Sequence, residues 1–191
     1  MSVRNNHHIA LDIIHEEHEH LTVVLQGMLH FVRAIKQASG SDDLKLLRAM
    51  LYYICEYPER VHHPKEDQIL FAQIKERTHQ LDNELDAVTE QHSKGELLAH
   101  RLQDALLRYE FSGSDAFAHL YTLVEQYAHF YFAHMRAEEE RILPVAKQVL
   151  NDADWKIVDA AFIENQHRMD QTGQRYKYDL LFAQISSIVP I

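Results

Sequence analysis

At 191 residues, with only 5 Gly and 4 Pro, the chain is long enough for one domain with a sizeable core and leaves few residues for loops, which predicts a mostly helical protein. A net charge of −10 without a concentrated basic patch argues against general nucleic-acid binding. The single cysteine, Cys55, excludes an intramolecular disulfide, and no apolar N-terminal run resembles a signal peptide or membrane span, so the expected location is cytoplasmic.

The first segment carries the stripe Ile14, His18, Leu21, Leu25, Met28, Val32 and Ile35, alternating steps of four and three as a buried helix face requires. His18 therefore sits inside a core stripe, and His15, one turn earlier, is read as a hydrogen-bonding neighbour. Ser39-Gly40-Ser41-Asp42 breaks the segment. The second stripe, Leu47, Leu51, Cys55, Pro58, His62, Glu66 and Ile69, is less regular. Pro58 and Pro64 each remove a backbone hydrogen bond, so a kink or local break is expected around them. Cys55 reads as a small buried thiol, and Tyr52 and Tyr53 as core.

After a break near Arg77-Thr78, the third stripe runs Leu81, Leu85, Val88, His92, Gly95, Ala99, Leu102, Leu106 and Tyr109. Ser112-Gly113-Ser114-Asp115 marks the next turn. The fourth stripe, Phe117, Leu120, Val124, Tyr127, Tyr131, His134, Glu138, Ile142 and Val145, fades near Pro144; His129 faces away from it. Asn151-Asp152-Ala153-Asp154 then caps a fifth helix, expected to end near Gln171 and to present Trp155, Val158, Phe162 and Ile163. Gly173 breaks it before a short apolar helix over 176–188, which would cover the bundle or pair two copies as a homodimer. His167 could reach the core only if the fifth helix folds over it. The expected division is a bundle over 1–150 and a helical extension over 151–191.

His62/Glu66 and His134/Glu138 are both His-x-x-x-Glu steps. Four residues turn a helix by about 400°, so each pair lies on one face, one turn apart. Imidazole with carboxylate suits Fe, Mn or Zn, and a carboxylate can bridge two ions. Either step alone reads better as a weakly stabilising surface pair than as a metal grip. On a core face, however, such groups must be paired or metal-bound, because burying them without partners would cost several kcal/mol each.

Register decides between the two readings. His18 lies 22 residues before position 40 and His62 lies 22 after it; His62 and His92 are each 15 from position 77, and His92 and His134 each 21 from position 113. In an up-down bundle all four histidines then share one layer, which points to a dinuclear metal site.

His15-Glu16-Glu17-His18-Glu19, His62-His63-Pro64-Lys65-Glu66-Asp67-Gln68-Ile69-Leu70-Phe71, Glu90-Gln91-His92-Ser93-Lys94-Gly95-Glu96-Leu97-Leu98 and His134-Met135-Arg136-Ala137-Glu138-Glu139-Glu140-Arg141-Ile142-Leu143-Pro144 together resemble the hemerythrin-like HHE cation-binding family. The resemblance implies an all-α, up-down four-helix bundle with one or two additional C-terminal helices. It also implies two non-haem iron ions, with Mn or Zn less favoured, bridged by carboxylates and by an oxo or hydroxo group. His18, His62, His92 and His134 would be terminal ligands, Glu66 and Glu138 the bridges, and His63 a further candidate. Ligands in such a family are O2, peroxide or nitric oxide, with no nucleic-acid or membrane partner. Oxygen carriers of the family have a histidine where this chain has Glu96 and an Asp where it has Glu139. That difference favours a more carboxylate-rich centre of lower potential over a reversible carrier. A non-catalytic iron or oxygen sensor and a structural metal site are the rival expectations; repair of iron centres lacks a cysteine-bearing N-terminal segment to support it.

Overall fold

The computed structural model describes residues 7–37 and 44–187. The turn expected at Ser39-Gly40-Ser41-Asp42 lies outside the described residues. Among the described residues there are helices and no strands: α1 (Ile9–Lys36), α2 (44–77), α3 (Asp82–Ser112), α4 (114–149), α5 (Asp152–Thr172) and α6 (Gln174–Ser186). The first four form an up-down bundle in which α1 packs on α2 and α4, and α3 packs on the same two from the other side. Helices α5 and α6 pack on each other and against α1 and α2.

The apolar stripes meet in two clusters. One gathers Leu25, Met28, Ile54, Leu102, Val124 and Tyr127. The other gathers Ile14, Leu70, Leu85, Ile142, Trp155 and Phe162, so the C-terminal helices share the bundle's core. At about 3–5 kcal/mol for an aromatic side chain removed from a core, Phe162 alone anchors α5 firmly.

The proline-containing helices do not break where the sequence suggested. Helix α2 runs through Pro58 and Pro64, and α4 runs through Pro144 to Val149. Instead, both helices widen by one residue per turn: the N–H groups of His63, Phe71 and Leu143 donate to the carbonyls of Pro58, Glu66 and Glu138, five residues back. A wide turn leaves room for an imino acid that has no N–H, and it re-aims the side chains beside it. His62, Glu66 and Glu138 all sit in these turns.

The second turn falls later than expected, at 78–81, because α2 ends at Arg77 and α3 starts at Asp82. His62 and His92 nonetheless both approach the same Glu66 oxygen, at 3.4 and 3.7 Å; the extra residue in the turn Glu66–Leu70 accounts for part of the unequal count. Gly113 (φ 65°) and Gly173 (φ 68°) end α3 and α5 with positive φ, and Gly173 takes the left-handed helical conformation of a helix cap. At the start of α5 the Asn151 side chain accepts from the N–H groups of Ala153 and Asp154, and Asp154 accepts from that of Asn151. Arg77 clamps the same Asp154 with two hydrogen bonds, of 2.8 and 2.6 Å, fixing the end of α2 against α5.

Candidate metal centre

Five histidines and two carboxylates converge between the two apolar clusters, all buried. Among the described residues, those whose donor atoms lie close enough to share an ion fall into two groups: His18, His62, Glu66 and Glu138, and His63, His92 and His134, with the donor atoms of each group within 4.8 Å of one another. Glu138 joins the groups. Its Oε2 is 3.3 Å from His18 Nε2, while its Oε1 is 3.4 Å from His134 Nε2 and 3.6 Å from His92 Nε2. Glu66 Oε2 lies 3.4 Å from His62 Nε2 and 3.7 Å from His92 Nε2. An ion held by ligands at about 2.1 Å places neighbouring donors about 3.0–3.4 Å apart, so these separations are close to the edges of a coordination shell.

The histidines are oriented from outside. Nδ1 of His18 donates to Glu139 (2.8 Å), that of His62 to Glu17 (2.6 Å), that of His92 to Asp67 (2.9 Å), that of His134 to Gln91 (3.0 Å) and that of His63 to Glu59 (3.3 Å). Carboxylates and the amide oxygen only accept, so each Nδ1 carries a proton and each Nε2 points inward, where its lone pair serves a cation once any proton there is displaced. The Nε2 atoms of His63, His92 and His134, and all four oxygens of Glu66 and Glu138, are buried without a hydrogen-bond partner. Each such group would cost roughly 1–3 kcal/mol if nothing satisfied it. A cluster of lone pairs facing inward is the donor set of a cation site, and these residues fit one.

Protonation is uneven across the cluster. Burial works against a charge on His18, yet the Glu138 and Glu139 carboxylates raise its pKa to about 10. Burial is likewise outweighed at His92, where Asp67 and Glu138 raise the pKa to about 9. At His62 and His134 burial prevails and lowers the values to about 3 and about 4. Burial and the adjacent Glu138 charge push Glu66 well up. Burial also opposes the charge on Glu138, but the facing imidazoles of His134, His18 and His92 hold that carboxyl well below its usual range.

The family model of the hemerythrin HHE cation-binding domain matches residues 9–146. The chain belongs to this family. No curated protein and no solved structure matches the chain. Membership agrees with a hemerythrin bundle whose buried His/Glu groups could hold metal cations. No helix among the described residues is long and apolar enough to cross a membrane.

The departures read from the sequence take on a different meaning in this hemerythrin fold. Glu96 is exposed, and Glu139 turns to His18 Nδ1 from outside, so neither adds a carboxylate to the inner cluster. The fifth imidazole comes from α2, where His63 stacks on His92 with ring centroids 3.9 Å apart. His15, expected to hydrogen-bond near the site, is exposed at the mouth of a groove. Tyr52 is exposed rather than core, whereas Tyr53 is buried as expected. His129 and His167 face solvent. Cys55 is partly buried, and burial with the Glu56 and Glu59 charges raises its thiol to about 11, which suits a packing role.

Sequence reasoning missed Glu17 and Lys65. Both are buried, and Lys65 donates to the carboxylate of Glu17. Glu17 does occupy a stripe position, four residues after Ile13 and four before Leu21, and Lys65 follows buried Val61 by four. That periodicity was the only available signal.

Proposed function

We propose that His18, His62, His63, His92, His134, Glu66 and Glu138 hold two non-haem iron ions and that the centre binds or reacts with O2, peroxide or nitric oxide. The observation that carries this reading is the straddling of Glu138, with one oxygen at His18 and the other at His134 and His92. A single closed zinc site needs about four donors in a tetrahedron; seven donors arranged around two shared carboxylates suit two larger-shell ions. With both carboxylates shared, the His18/His62 side has four protein donors and the His63/His92/His134 side has five. The first side therefore has more room for an outside ligand. It borders a groove of ≈ 910 Å³ between α1 and α4, lined by His15, His18, Glu19, Phe132, Arg136 and Glu139. Iron bound there supplies open coordination and a change of oxidation state. The protein's own part is to aim five imidazoles through their Nδ1 partners and to surround the layer with apolar side chains that limit water.

The test is the optical spectrum of anaerobically Fe(II)-loaded protein before and after O2, with His62→Ala as control. A band that appears with O2 and disappears on deoxygenation supports reversible binding. Irreversible oxidation supports redox turnover, to be followed with peroxide and nitric oxide. No iron-dependent signal overturns the di-iron reading. A sensor is the second reading, favoured by the contact of Phe162 and Tyr178 on the C-terminal helices with Lys65 and Tyr57 beside the site. Metal-dependent hydrogen-exchange protection of 152–186 without turnover would support it.

A further inference from the structure

The five histidines are backed by very different groups. His134 leans on the neutral amide of Gln91, and His63 on Glu59 at a loose 3.3 Å. The carboxylate behind His92 is Asp67, 27 % exposed, and that behind His18 is Glu139, 41 % exposed. His62 is backed by Glu17, which is 4 % exposed. Glu17 receives three donors on two oxygens: His62 Nδ1, Lys65 Nζ and the Tyr57 hydroxyl at 3.0 Å. Three converging donors, one of them the Lys65 ammonium, stabilise the carboxylate over the acid, so Glu17 is an anion. Lys65, itself buried, lies over the Phe162 ring at 4.8 Å.

Removing two charges from water is expensive, and apolar side chains of the same volume would join α1 to α2 at least as well. A buried charge also acts on its neighbours far more strongly than one facing solvent and salt. We propose that Glu17 and Lys65 are positioning residues that set the electron richness of the centre, with Glu17 strengthening His62 as a donor and Lys65 limiting that effect. This deepens the two-ion reading above and rests on it. The ion gripped by His18 and His62 is then the more readily oxidised of the two. It is also the one whose side has fewer protein donors, so the most reducing metal and the most open position coincide. Tyr57 serves the same end without charge, by sharing the carboxylate and tempering the bond to His62.

The test is the midpoint potential of the iron-loaded full chain by spectroelectrochemistry in wild type, Glu17→Gln, Lys65→Gln and Glu139→Gln, with iron content and circular dichroism measured on each. Glu17→Gln is expected to raise the potential, because an oxidised ion loses a stabilising anion. Lys65→Gln is expected to lower it. Glu139→Gln should move it in the same direction as Glu17→Gln but less, since Glu139 is solvated. An effect of Glu17→Gln no larger than that of Glu139→Gln, or shifts of the same sign for Glu17→Gln and Lys65→Gln, overturns the inference. If Lys65→Gln does not fold, Tyr57→Phe takes its place: it should lower the potential, and an unchanged or raised value overturns the proposal. A wild-type chain that takes up fewer than two irons overturns the two-ion reading instead. In that event a cobalt(II)-loaded sample decides the inference, since the contact-shifted His62 Nδ1–H resonance must move in Glu17→Gln and stay in place in Glu139→Gln.

Discussion

The Nε2 atoms of His18 and His62 face each other at 3.1 Å, although each ring has already committed its Nδ1 proton to a carboxylate. Two neutral imidazoles in this pose would oppose lone pair to lone pair. Either a proton or a cation must stand between them. His18, with its pKa near 10, supplies the proton when no cation is bound, and His62, near 3, accepts it.

Metal uptake is therefore expected to release protons. At neutral pH both His18 and His92 are protonated, because both pKa values lie above 7. An incoming divalent ion must displace these protons, on the order of two per chain from the histidines, together with any proton held on the raised Glu66 carboxyl. The sign follows: between pH 6 and 8 apparent affinity rises with pH, since protons compete less. Calorimetric titration with Fe(II) or Zn(II) in buffers of different ionisation enthalpy measures the release directly. A pH-independent affinity with no proton released would contradict this account.

Loading should also stabilise the fold, because the candidate ligands come from all four bundle helices and the unfolded chain offers no such site. At a free metal concentration 100 times Kd the gain is about 2.7 kcal/mol. A thermal unfolding series with and without metal should show a rising Tm that a chelator reverses. The increment should be lost in Glu138→Gln, which keeps the size of the side chain and removes the charge of the straddling carboxylate.

What the sequence made legible was periodic. His18, His92, His134 and Glu138 stood in apolar stripes at steps of three and four, so their burial followed from the neighbours, and the pairing of His92 with His134 followed from the turn at Gly113, 21 residues from each; the turn at 78–81 is not equally far from His62 and His92, and the first turn lies outside the described residues. His63 stood off the stripe by one residue; it lies between two wide turns, and its ring stacks on His92. Such turns have no reliable sequence mark: proline occurs near them, but here it read as a kink. Buried Glu17 and Lys65 were illegible for another reason. Each is a charged residue whose partner is 48 positions away, and a charge that is satisfied only in three dimensions looks like a surface residue in one.

Gly95 should tolerate no side chain. A Cβ there would fall on the Tyr131 hydroxyl, which donates to Glu59 at 2.9 Å. Gly95→Ala must displace that ring, at about 1–3 kcal/mol for overpacking and about 1 kcal/mol for the lost hydrogen bond. Removing the hydroxyl in Gly95→Ala/Tyr131→Phe should recover part of the loss, and a double-mutant cycle on chemical denaturation measures the coupling. Additive losses would mean that the two residues do not conflict.

The C-terminal helices should prove to be held by core burial more than by their cap. Phe162 is fully buried against α1 and α2 residues, so Phe162→Ala should cost about 3–5 kcal/mol. Asn151→Ala, which removes the cap of α5, should cost about 1 kcal/mol. Equal effects would mean that α5 is anchored mainly at its start.

His63 gives the sharpest division between binding and bystander roles. Its ring is buried, stacked on His92 and turned so that Nε2 has no partner outside the cluster. If it completes the His92/His134 group, His63→Ala removes one of three imidazoles from one ion and none from the other. Metal titration should then change from two comparable uptake steps to one tight and one weakened by roughly 10-fold or more, the scale of a lost ligand-supporting interaction. His15→Ala, at an exposed position, is the control and should leave both steps in place. A His63→Ala protein that still takes up two ions with wild-type affinity would reduce His63 to a stacking partner and leave the centre with four imidazoles. The expectation of lower potential and less reversible O2 binding, argued from fewer histidines, would then regain its basis.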